Sequence, residues 1–117
     1  MEERVLNGVF VATGVLLAAL AVPLIRRKVR PNRLYGFRTP STLNDERIWY
    51  ETNATAGVDL LATGIGVLLL SIAHAVGLFS AMALTLASVA WLTLGAIVSV
   101  IHGFAVINRM KRTPKRP

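Results

Sequence analysis

The chain has 117 residues, 54% of them hydrophobic, a formal net charge of +7 and no cysteine. That excludes disulfides, thiolate chemistry and cysteine-based metal sites, and it is too apolar for an ordinary soluble domain. Twelve of the 13 basic residues fall in two blocks, Arg26 to Arg47 and Arg109 to Arg116. The excess charge therefore flanks apolar runs, as in a membrane protein, and does not form a nucleic-acid-binding surface.

Residues 5–25 carry no charge. About 20 apolar residues cross a bilayer core of roughly 30 Å, so this run predicts a first transmembrane helix over about 4–27. Its opening, "MEER", is not a basic n-region, and its basic residues follow the apolar run. It reads as a retained anchor, not a cleaved signal peptide.

A loop is expected over 28–43 and a second helix over about 45–76. In the loop, Pro31 and Pro40 push Arg30 and Thr39 towards extended backbone, and Gly36 permits a turn between Tyr35 and Phe37. Tyr35, Phe37 and Trp49 suit the membrane–water boundary. The loop is therefore expected to be a folded cap. Asn44 is the expected N-cap of the second helix, with Leu43 and Ile48 as a hydrophobic staple. A helix that long exceeds the bilayer core, so its first turns must project or bend, and Gly57 is the expected place for a bend.

The uncharged run 60–108 is long enough to span twice, with a break near 77–82. A third helix follows over about 80–110. Gly95, Ser99 and Gly103 on this helix, and Gly14 and Ala18 on the first, form small-xxx-small rows that let backbones approach in lipid. The tail 113–117 is basic and expected to be disordered. The whole is a single membrane domain over 1–112, an all-α integral membrane protein with three transmembrane helices. Its long second helix is preceded by a structured cytoplasmic loop. The basic flanks place the N-terminus outside and the C-terminus in the cytoplasm, in the plasma membrane.

Among polar residues, Arg38 is the first candidate, able to form a two-pronged bond to Glu46 or Asp59. It either holds the cap on the second helix or binds an anionic group. Asp59 leads into an apolar run, and an ionisable group inside a membrane helix is a functional candidate. Thr52, Thr55, Asp59, Thr63 and Gly66 share one face, which either lines a cavity or packs against the third helix. His74 and His102 lack a convergent acid motif, so no metal site and no cofactor is expected.

The stretch "NRLYGFRTPSTLNDERIWYETNATAG" resembles the signature of the SdpI family of bacterial integral membrane proteins. The matching positions are Asn32, Gly36, Arg38, Thr39, Pro40, Thr42, Leu43, Glu46, Trp49, Asn53 and Gly57. The family's named member is an immunity protein against a secreted peptide toxin and also holds a repressor at the membrane. The resemblance implies a membrane protein that binds a peptide toxin or a cytoplasmic regulator, with Asn32, Gly36, Arg38, Thr39, Pro40, Glu46, Trp49, Asn53, Gly57 and Asp59 as motif or ligand-binding residues. The surrounding bilayer and a second copy complete the expected partners.

Two other classes remain open on the sequence. One is an intramembrane, peptidase-like hydrolase, with Glu46, Glu51, Asn53 and Asp59 as catalytic candidates and Arg38 beside Asn53 to stabilise an oxyanion. The other is a small transporter or channel subunit.

Overall fold

A computed structural model describes residues 2–112; the basic tail 113–117, expected to be disordered, lies outside the described residues. Four helices follow in order: α1 (Glu3–Ile25), α2 (Pro40–Leu43), α3 (Glu46–Ala75) and α4 (Ala81–Arg112). There are no strands among the described residues. Helices α1, α3 and α4 are each long and apolar enough to cross a membrane, and the molecule measures 58 × 21 × 19 Å.

Polarity is arranged inside out. Thr52, Asn53, Thr63, Ser71 and Ser88 are buried, while Val15, Leu16, Leu69, Ile72, Leu86 and Ile101 are exposed. That arrangement suits a lipid solvent. Inside, hydroxyls return to their own helix: Thr63 donates to the Asp59 carbonyl at 2.8 Å and Ser71 to the Val67 carbonyl at 2.9 Å. The Thr52 and Ser88 hydroxyls have no partner among the described residues.

Local signals set the helix ends, and they shift the expected boundaries by a residue or two. Helix α1 stops at Ile25, two residues short of the expected Arg27. Arg27 adopts the left-handed region (φ 58°), and the amides of Arg27 and Lys28 turn back onto the carbonyls of Leu24 and Pro23. This is a Schellman ending with arginine at the position glycine usually takes. Helix α3 ends the same way, with Gly77 (φ 88°) in that role.

The N-cap of α3 is Asp45, not Asn44. Its carboxylate accepts from the amides of Arg47 at 3.0 Å and Ile48 at 3.4 Å. Asn44 is occupied in closing the short helix α2, its amide bonding the Pro40 carbonyl at 3.1 Å. That turn needs helical backbone at Asn44, so the extended cap residue comes one position later. The Leu43–Ile48 staple loses its register, and Leu43 is exposed.

Helix α3 is the middle element, packed by α1 on one side and α4 on the other, while α1 and α4 touch little. The α1–α3 seam is close. A β-carbon at Gly14 would stand 2.8 Å from the Gly64 carbonyl oxygen, and one at Gly64 would stand 2.8 Å from that of Gly14. Helix α3 runs unbroken through Gly57, which lies against the Ala21 carbonyl and Ile25 at the end of α1. Close approach, more than bending, accounts for that glycine.

Candidate functional site

The polar stretch folds into a cap over one end of the bundle. Asn32 builds its first turn, its Oδ1 accepting from the amides of Leu34 at 2.9 Å and Tyr35 at 2.8 Å, while its Nδ2 donates to the Arg30 carbonyl. Gly36 has φ 108°, and a side chain there would strike Asn53 Oδ1. Thr39 and Pro40 start α2 through a capping box in which the Thr39 and Thr42 side chains each accept from the other's amide. The Thr42 hydroxyl is also within 3.0 Å of the Phe37 carbonyl.

Two buried side chains of α3 pin this cap. Trp49 is fully buried and donates its indole N–H to the Val29 carbonyl at 2.8 Å. Asn53 is buried one turn later. Its Oδ1 accepts from the Phe37 amide, and its Nδ2 donates to the carbonyls of Trp49 at 3.0 Å and Phe37 at 3.4 Å. Tyr35 reaches across to donate its hydroxyl to the Leu20 carbonyl of α1, and partial burial raises the pKa of that phenol. Phe37 lies in the cradle of Gly103 and meets the Phe104 ring edge-on, with centroids 5.5 Å apart. The cap thus touches all three long helices.

The charged candidates do not meet. Arg38 is exposed and donates to the Arg33 carbonyl, and no ion pair with Glu46 or Asp59 forms among the described residues. Glu46 is exposed in the first turn of α3. Glu51 lies 2.8 Å from Arg27 and 3.7 Å from Arg109, so a single carboxylate ties the ends of α1 and α4 to α3. Asp59 pairs with His102 Nδ1 at 2.8 Å. Along α3, Glu51 and Asp59 are separated by roughly 12 Å of rise, and Glu46 and Asp59 by roughly 20 Å. At these separations Glu46, Glu51, Asn53 and Asp59 do not converge on one point.

The polar face of α3 packs against α4. Asp59 meets His102, Thr63 faces Gly95, and Gly66 receives the Trp91 ring, whose N–H donates to the Thr63 carbonyl at 3.0 Å. The small residues of α4 therefore receive side chains, Thr63 at Gly95 and Phe37 at Gly103. At the far end of the bundle, His74 Nδ1 lies 2.9 Å from the Phe79 carbonyl oxygen.

Because α1 and α4 stay apart, a groove opens between them with α3 as its floor. Two adjoining cavities of about 340 and 290 Å³ share Leu17, Leu60 and Ser99. The first extends towards Leu92, the second towards Leu24, and Tyr35, Gly36 and Phe37 close the second. Seven residues of helix in each direction make the groove roughly 20 Å long. The folded motif is its roof.

Sequence reasoning missed the groove, the bridging role of Glu51 and the Asp59–His102 pair. One signal for the pair was readable. Asp59 lies eight residues past Glu51, and His102 lies seven before Arg109, so both sit at one depth from a common charged border. No signal marked the groove, which exists only because two helices touch so little.

No curated protein and no solved structure matches the chain. A family model does match, over residues 28–107, from the end of α1 through the cap, α3 and most of α4. With three helices able to span a membrane and a match over most of its length, this multi-pass membrane protein belongs to the SdpI/YfhL protein family.

Proposed function

We propose that this chain is a membrane-embedded binding protein that takes an apolar peptide segment into the groove between α1 and α4, in toxin immunity of the kind the family resemblance implies. The observation that carries the reading is the groove itself, aliphatic along its walls and roofed by Tyr35, Gly36 and Phe37. A groove with few precisely placed polar groups suits an apolar ligand. Of the motif, Asn32, Gly36, Thr39, Pro40, Trp49 and Asn53 hold the roof in place, and Gly57 lets α1 close on α3.

Among the described residues, ten basic ones and three acids lie at the roofed end, which supports a cytoplasmic position for that end by the positive-inside rule. A toxin arriving from outside then meets the groove within the bilayer, not at the motif. The separation of Glu46, Glu51 and Asp59 weighs against a hydrolase, whose acid and base must reach one substrate.

The test is protection. Expression should raise survival of a sensitive bacterium exposed to a secreted membrane-active peptide, and Leu60→Trp, which fills the groove, should remove that gain. Val15→Trp, on the exposed face of α1, should keep it. Equal protection by the Leu60 variant, present in the membrane at normal levels, would overturn the groove as the site.

A further inference from the structure

We propose that the face carrying Asp59 and His102 seats a second copy of this chain, making a homodimer within the bilayer. This face lies across the α3–α4 seam from the groove, so the inference stands apart from the groove's function. The seam itself is Thr63 against Gly95, which border both the groove and a notch of about 120 Å³ on the Asp59 side.

Depth makes the case. Asp59 and His102 lie roughly 10–12 Å along their helices from the Glu51–Arg109 border. Between Glu51 and His74 the helix rises roughly 35 Å, close to a hydrocarbon core of roughly 30 Å. The pair therefore sits about a third of the way into the apolar layer, beyond the reach of a short side chain to the interface. Yet the His102 side chain is 50% exposed there, against 15% for Asp59.

Chemistry completes it. Both carboxylate oxygens of Asp59 face His102 Nδ1, at 2.8 and 3.1 Å. A carboxylate only accepts, so Nδ1 carries the hydrogen. His102 Nε2 has no partner among the described residues. An imidazole edge without a partner in hydrocarbon is costly, and polar groups in membrane spans normally face another helix.

The face answers itself. Each copy offers a carboxylate with unused acceptor positions beside an imidazole edge. A two-fold axis next to His102 brings the imidazole of one copy to the carboxylate of the other, as a self-complementary interface requires. Around the pair, Ala62, Leu94, Val98, Ile101 and Ala105 are apolar and at least partly exposed, and the notch beside Asp59 accepts a side chain of the facing α4.

The chain has no cysteine, so disulfide cross-linking reports proximity cleanly. Ala105→Cys, one turn from His102 on the exposed face, should cross-link between copies in native membranes, and Val15→Cys on α1 should not. Adding Asp59→Leu and His102→Leu to the Ala105→Cys chain removes donor and acceptor together. Its cross-linking should then fall at least tenfold at unchanged membrane abundance. A second measurement needs no variant: photobleaching of single labelled parent molecules in dilute vesicles should show two steps. Three results would each overturn the dimer: single-step bleaching, no excess of Ala105→Cys over Val15→Cys cross-linking, or cross-linking to a different protein only; full cross-linking with both leucines in place would overturn the Asp59–His102 contact as what holds it.

Discussion

At the scale of the residue, Asn53 does three tasks with one amide. It accepts from the loop at Phe37, donates back to the same residue's carbonyl, and bonds Trp49 within its own helix. Each such bond contributes about 1 kcal/mol net, and a buried partner left unsatisfied costs about 1–3 kcal/mol. Asn53→Ala should therefore destabilise the protein by about 3 kcal/mol, read as thermal unfolding in detergent. Asn53→Asp should not rescue it, although it is nearly isosteric. It keeps the acceptor but sets a carboxylate oxygen against two carbonyls in a buried site. If the aspartate variant melts like the parent, the bonding assigned to Nδ2 is wrong. Arg38 teaches the opposite lesson. Its neighbours in sequence offered acids, but the loop turns it outward to the Arg33 carbonyl.

At the scale of the element, the caps discriminate between two readings that differ by one residue. Asp45→Ala should cost about 1 kcal/mol by removing the acceptor for two amides at the start of α3. Asn44→Ala should cost little, because its part in α2 is played by its backbone. The reverse ranking in thermal melts would restore Asn44 as the cap. Asparagine and aspartate are both residue types that cap helices well, and the choice between Asn44 and Asp45 fell to α2. Thr39 and Thr42 close that turn, and its last residue cannot at once be helical and extended. The folded character of the loop, by contrast, was legible in Pro31, Gly36, Pro40 and the aromatic residues, since each restricts or permits backbone where it stands.

At the scale of the whole molecule, charge and packing separate. Among the described residues, ten basic ones lie at the roofed end and one, Arg4, at the other. A cysteine at Ser80 should be labelled by an impermeant reagent from outside intact cells, and one at Ser41 should not. The opposite pattern would invert the orientation while leaving the groove and the seams where they are.

Three spans, their rough limits, the charge asymmetry and a structured cap all follow from the amino acids alone. Each rests on a local property: about twenty apolar residues in a row, a basic flank, a proline or a glycine at one position. The middle place of α3, the Asp59–His102 pair and the groove came only with the tertiary structure. Asp59 and His102 are 43 residues apart, and which faces of two apolar helices meet depends on fits such as Gly14 against Gly64 and Thr63 against Gly95. In lipid no gradient of hydropathy marks the inner face of a helix, so shape and a few hydrogen bonds decide the packing.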